Sequence, residues 1–133
     1  MSPYKNVQQA DWKIVTQDLL DDHPLEEKEI EEIVLSCWKS IFDSSFGKNE
    51  FKIGQDIFPK PQIMGFFLHE LIPLELAGRY PDAWRGDEDA HDKDCEYKDD
   101  SKYSFEIKTS SNPKHIFGNR SYAQSSSTNK KSK

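Results

Sequence analysis

Apolar residues recur at helical spacing along the first half of the chain. In ADWKIVTQDLLDDHP (10–24), Trp12, Val15, Leu19 and Leu20 share one side and Pro24 closes the segment. This predicts a short amphipathic helix. The next stretch, PLEEKEIEEIVLSCWKSIFDSSFG (24–47), has the clearest period: Ile30, Ile33, Val34, Cys37, Trp38, Ile41 and Phe42 form one stripe. Acids crowd its first turns, where they complement the helix dipole, and Gly47 follows its end. After a connector punctuated by Pro59 and Pro61, PQIMGFFLHELIPLELAGRYP (61–81) predicts a third helix, bent or ended near Pro73. Apolar residues surround this helix almost completely. Glu70 is therefore expected among Phe66, Phe67, Leu68, Leu71 and Ile72, where a carboxylate needs a partner or a function.

The period then changes. RYPDAWRGDEDAHDKD (79–94) reads as a polar, acid-rich loop, and DCEY and KYSFEIKTS alternate like two strands around the turn residues KDDS. With the turn at Asp99–Ser101, Cys95 opposes Phe105 and Tyr97 opposes Tyr103, and Ile107 continues that apolar face. On the other face Asp94 opposes Glu106, with Ser104 and Lys108 alongside. Directly opposed carboxylates repel, which predicts a divalent cation between them. The end, SSSTNKKSK (125–133), is low in complexity and is expected to be disordered.

Composition narrows the class. A chain of 133 residues is one domain at most. Its mean hydropathy of −0.87 is polar, yet three Trp, five Tyr and eight Phe can supply a core. No apolar run approaches the ~20 residues of a membrane span, and the N-terminus has no secretory apolar region. Cys37 and Cys95 lack metal-site spacing and predict two reduced thiols in a cytoplasmic protein. The net charge of −6 conceals a division. Residues 1–101 carry 11 Lys/Arg against 23 Asp/Glu, whereas residues 102–133 carry 7 against one. Cations gathered in one segment can face a polyanion even when the whole chain is acidic.

Glu-x-Lys occurs four times: 26–28, 50–52, 96–98 and 106–108. Geometry separates them. The first lies on a helix, where positions two apart diverge; the second is in a connector, and the third abuts a turn. Only Glu106-Ile107-Lys108 lies inside a predicted strand, where residues two apart share a face at about 7 Å. Mg²⁺ takes one or two carboxylates plus water and phosphate, activates a bound water and stabilises charge on the phosphate. A neighbouring Lys can orient that water. Asp94, Glu106 and Lys108 fill those roles, with Glu70 as a further ligand. Two alternatives stand beside this set: Asp92 in place of Asp94, and Asp82 with Glu96 and Lys98.

DIFPKPQIMGFFLHELIPLEL (56–76) and FEIKTSSNPKHIFGNRSYAQ (105–124) carry a resemblance. The chain resembles the PD-(D/E)xK nucleases, and more specifically the ScaI family of type II restriction endonucleases, over most of residues 2–124. The resemblance implies an α/β (α+β) restriction-endonuclease-like core. In it, N-terminal helices (11–79) precede a catalytic hairpin (92–109) and a DNA-facing loop and helix start (110–124), all within a nuclease-like domain of residues 1–124. It further implies a prokaryotic, Mg²⁺-dependent homodimer that cuts both strands of double-stranded DNA at a short palindrome. Asp94, Glu106 and Lys108 match the family's catalytic positions, and Glu70 matches a helical carboxylate common in the superfamily. Ser110, Ser111, Lys114, Asn119, Arg120, Ser121 and Gln124 lie where phosphate or base contacts are made. The family's core continues with a crossover helix and at least one more strand, where this chain passes into SSSTNKKSK. The expectation is a truncated copy, a fragment or a reduced member. Alone, such a chain would be marginally stable or self-associating and would cut little.

Arg120 and Lys114 stand apart from the terminal lysines as the cations following the Glu-x-Lys run. Arg120→Ala is expected to weaken DNA binding while leaving metal binding unchanged, because Arg forks onto phosphate or guanine. Affinities measured on several duplexes check this. A uniform loss marks a phosphate contact, relaxed discrimination marks a base contact, and unchanged affinity excludes both.

Overall fold

The computed structural model describes residues 2–111. Its architecture is α+β: three helices and a small antiparallel sheet. Helix α1 (Trp12–Asp22) buries none of its residues. It is held to the preceding segment by the Trp12 indole donating to the Val7 carbonyl and by a Tyr4–Thr16 hydroxyl pair. The stripe read from the sequence here remains at the surface, with Trp12, Leu19 and Leu20 all exposed.

Helix α2 (Glu27–Asp43) buries the centre of its stripe through Ile33, Cys37 and Ile41, with Ile30, Val34 and Phe42 half-buried, while Trp38 stays exposed. Glu27 and Glu29 occupy its first turn, which the helix dipole favours. Beyond it, Gly47 takes φ +71°, a left-handed conformation that glycine adopts without steric cost, and the chain folds back so that Phe46 bridges Phe51.

Helix α3 (Pro61–Arg79) begins on Pro61, whose missing N–H costs nothing in a first turn. It continues through Pro73 to Arg79, so of the bend or end expected near Pro73 the end does not occur. Pro73 is buried on the inner face with Gly65, Ile72 and Leu76, and its ring lies 3.5 Å from where a Cβ on Gly86 would sit. Packing against the sheet therefore outweighs the lost backbone bond. The opposite face is open: Ile63, Phe66, Glu70 and Leu74 are exposed. Glu70 is not enclosed by apolar side chains as the sequence suggested, and water supplies its solvation.

Strand β1 (Trp84–Gly86) pairs antiparallel with β2 (Cys95–Tyr97) in the register Trp84–Tyr97, Arg85–Glu96 and Gly86–Cys95. The sequence reading placed β1 inside a loop. Phe105 adds a single antiparallel bridge on the other edge of β2. The core gathers Leu25, Ile33, Cys37, Ile72, Leu76, Trp84, Cys95 and Ile107, with Tyr97 and Phe105 packed beside them. His23 completes it, stacking on Trp84 and meeting Tyr103 and Phe105 edge to face. Both thiols are free and buried, and burial pushes the Cys95 thiol up to about 12. Among the described residues no helix is long and apolar enough to cross a membrane.

Leu76 is 1% exposed and lies on the face of α3 that meets the core. Leu76→Ala is expected to cost about 2–5 kcal/mol through lost transfer energy and the cavity left behind. Urea denaturation at neutral pH measures it.

Candidate active site on the polar face of the sheet

Cys95 and Phe105 exchange both backbone hydrogen bonds, at 3.0 and 2.9 Å. That pair sets the alternation of everything after it. Ile107 turns into the core, and Glu106 and Lys108 on either side of it are exposed. Neither Glu106 nor Lys108 has a hydrogen bond or ion pair with another described residue, so both side chains face solvent unengaged. The Asp94 carboxylate accepts the Ile107 N–H at 2.7 Å. His69 of α3 lies over the same residue, on its other peptide group: its Nε2 is 2.6 Å from the Ile107 carbonyl oxygen and 3.9 Å from Asp94 Oδ2. Its Nδ1 is 2.8 Å from the Gly65 carbonyl one turn back. Helix and segment approach so closely that a Cβ on Gly65 would lie 2.7 Å from Thr109 Oγ1.

The predicted second strand is reduced to that one bridge, and side chains explain why. A continued ladder would pair Tyr97 with Tyr103 and Lys93 with Ile107. Instead the Tyr97 N–H donates to Ser104 Oγ, and the Tyr103 carbonyl accepts from the His23 ring. The Ile107 N–H goes to Asp94, and the Lys93 N–H to Glu96. Ser104 also donates to Glu96 at 3.0 Å. The opposition of Asp94 to Glu106 is relieved in the same way. Asp94 is directed onto a backbone donor, so no cation is required to hold these residues in place.

The alternative acids are occupied differently. Asp92 accepts from Arg85 at 2.9 Å and from the Glu88 N–H at 2.9 Å. The guanidinium and that backbone donor hold its carboxyl below the usual range. Glu96 serves Ser104 and Lys93, and the Lys98 ammonium donates to the Pro81 carbonyl, while Asp82 is exposed. Both Asp92 and Glu96 are thus engaged within the fold.

Glu70 is exposed on α3, next in sequence to His69. Ser110 and Ser111 are exposed at the end of the described segment. Lys114, Asn119, Arg120, Ser121 and Gln124 lie outside the described residues, as does the 125–133 tail. Among the described residues no three His, Cys, Asp or Glu side chains gather closely enough to hold a metal. The oxygen donors of Asp94 and Glu106 nonetheless suit Mg²⁺, which commonly takes two protein carboxylates and completes its shell with water and phosphate. His69 was missed from sequence. Its only signal was a lone imidazole one turn after Gly65 on a largely apolar helix.

The model of the ScaI restriction endonuclease family matches residues 2–133. Type II restriction enzyme ScaI of Streptomyces caespitosus is 50% identical over 121 residues, which cover 91% of this chain and 52% of that enzyme. The chain therefore spans about half the length of this relative. No solved structure matches it.

The Arg85–Asp92 pair generates a pH dependence. A carboxyl depressed in the folded state contributes stability above its unfolded pKa, about 3.9. That contribution is lost as pH falls through the lower folded value. Asp92→Asn is therefore expected to be less stable than the unsubstituted chain at pH 7, with the gap closing below pH ~4. Urea midpoints at pH 7, 4 and 3 check it, and a gap independent of pH would show that the charge contributes nothing.

Proposed function

The chain belongs to the ScaI restriction endonuclease family, and from that premise we propose that residues 94–108 form the cutting edge of a type II restriction endonuclease. The reaction is Mg²⁺-dependent hydrolysis of both strands of duplex DNA at a short palindromic site. The observation that carries this reading is the fixed Ile107 peptide. It bears Asp94 on its N–H and presents Glu106 and Lys108 outward on either side, both unengaged. Exposed charges without partners among the described residues are common on this surface, the Glu26-Glu27-Lys28 run among them, so the placement of Glu106 and Lys108 about one fixed residue carries the reading.

Asp94 and Glu106 would hold the ion; Glu70, expected from the sequence as a further ligand, lies on the open face of α3 and does not gather with them among the described residues. Bound there, Mg²⁺ supplies a water of lowered pKa and positive charge for the phosphate. Lys108 would hold the attacking water by donating to it and would balance charge that develops on the phosphate oxygens. Asp94 does two things at once, since the oxygen that accepts from Ile107 also fixes where its other oxygen points. Two copies, one for each strand, would match a palindromic site, as the symmetry of a homodimer allows. The wider assignment is a PD-(D/E)xK core acting in a prokaryotic cytoplasm. Ser110 and Ser111 would start the DNA-facing segment, which continues to Lys114, Asn119, Arg120, Ser121 and Gln124.

The test is a plasmid digested in Mg²⁺ beside the same reaction in chelator. Fragments of fixed size are expected, formed slowly where this chain acts alone, since by itself it is expected to cut little. Glu106→Gln and Lys108→Ala should each lower the cutting rate by about 100- to 1000-fold, with unchanged thermal melting. Asp94→Asn should lose cutting and also some stability, because the Ile107 N–H loses a charged acceptor. Glu96→Gln should lose stability and keep its cutting. Undiminished cutting by Glu106→Gln sinks the site. DNA binding without cleavage under any divalent ion would leave a binding module on a nuclease scaffold.

A further inference from the structure

We propose that His69 is the positioning residue of the site: by holding the Ile107 carbonyl from α3 it sets the spacing and direction of Glu106 and Lys108. This rests on the reading of Asp94, Glu106 and Lys108 as the active residues.

After Phe105 the segment has no ladder partner among the described residues. Its direction would otherwise depend on one bridge and on the burial of Ile107. Two side chains supply what a neighbouring strand would. Asp94 takes the Ile107 N–H at 2.7 Å, and the His69 ring lies 2.6 Å from the Ile107 carbonyl. The peptide groups on both sides of the Ile107 Cα are thereby fixed, and these are the groups from which Glu106 and Lys108 diverge. A carbonyl oxygen only accepts, so the imidazole must be the donor. A neutral imidazole has a single N–H, so Nε2 donates to Ile107 in one tautomer, Nδ1, 2.8 Å from the Gly65 carbonyl, donates there in the other, and both bonds form together only when the ring carries two protons. Nε2 also lies 3.9 Å from Asp94 Oδ2. One imidazole therefore faces both the candidate ligand and the backbone that carries the other candidate ligand and the lysine.

Gly65 makes the reach possible. With a larger residue there, either the Thr109 side chain or α3 would have to shift, since the added Cβ would lie 2.7 Å from the threonine hydroxyl. Gly65 and the lone histidine of α3, four residues apart, are one device. The glycine lets the helix come close and the histidine uses the approach.

His69 can be dissected with two amides. In His69→Asn the side-chain nitrogen occupies the Nδ1 position and keeps the Gly65 bond but cannot reach Ile107. In His69→Gln it occupies the Nε2 position and keeps the Ile107 bond. Mn²⁺ is the probe, titrated into the full chain, with thermal melting and amide exchange at Ile107 recorded beside it. His69→Asn is expected to bind Mn²⁺ about 10-fold more weakly and to exchange the Ile107 amide faster. His69→Gln is expected to stay within about 3-fold of the unsubstituted chain. In plasmid cutting the Asn variant should lose turnover rate with little change in apparent DNA affinity. Equal Mn²⁺ affinities for the Asn and Gln variants, whether high or low, overturn the proposal. Glu106→Gln separates this failure from failure of the site itself. If it binds Mn²⁺ as tightly as the unsubstituted chain, or if that chain binds none, the site reading falls and this proposal falls with it. If Glu106→Gln abolishes binding while the two His69 variants match, only the role of His69 is refuted.

Discussion

Side chains on a strand alternate between two faces, so the position of every group in the candidate site depends on one register. Here that register is held by a single reciprocal pair, Cys95 with Phe105. A slip of one residue would bury Glu106 and Lys108 and expose Ile107. What prevents the slip is packing. Cys95 is fully buried between Gly86 on one side and Phe105 on the other, and Ile107 fits the core formed with Leu76 and Trp84. Moving a carboxylate and an ammonium into that core would cost several kcal/mol unless both found partners. The hydrophobic core thus selects the face on which the chemistry is displayed. The aromatic group of Trp84, Tyr97, Tyr103 and Phe105 around His23 reinforces the choice, because each ring contacts others across different elements.

Much of this was legible in the chain. The alternation in DCEY and KYSFEIKTS places Cys95 opposite Phe105 and Ile107 inside, and the structure has both. The long stripe of α2 was equally clear, because a 17-residue amphipathic helix gives many repeats of one period. What escaped has identifiable physical causes. Strand β1 is three residues long and sits in an acid-rich stretch, too short for alternation to register, and its pairing is decided by Tyr97 and Cys95 far along the chain. Helix α3 survives Pro73 because the proline is buried against Gly86, a tertiary contact that no local propensity encodes. Glu70 looked enclosed because composition cannot say which side of a largely apolar helix stays uncovered.

The candidate site shows the same split. The outward placement of Glu106 and Lys108 follows from period two and could be read directly. The end of the ladder could not. It depends on Asp94, Glu96, Ser104 and His23 each taking a backbone group that a strand would have paired. Polar side chains that compete with the backbone in this way are short or rigid, and they act where two segments diverge. Their choice between Asp92 and Asp94 is similarly tertiary: Arg85, paired across from Glu96 on β1, reaches Asp92 and leaves Asp94 to Ile107.

One consequence joins stability to chemistry. An Asp94 oxygen that accepts a backbone N–H is held in place, which suits both a segment with no further ladder partner among the described residues and a candidate site that would need a positioned oxygen. The same economy carries a constraint. A residue with a structural and a chemical role cannot be exchanged for either alone: an Asn keeps an acceptor and loses the charge, and a Glu keeps the charge and moves it by a methylene. Lys108 and Glu106, with no partners among the described residues, carry no such structural role. The division between Asp94, built into the backbone, and Glu106 and Lys108, left unengaged, separates what the core holds in place from what is available to meet a phosphate.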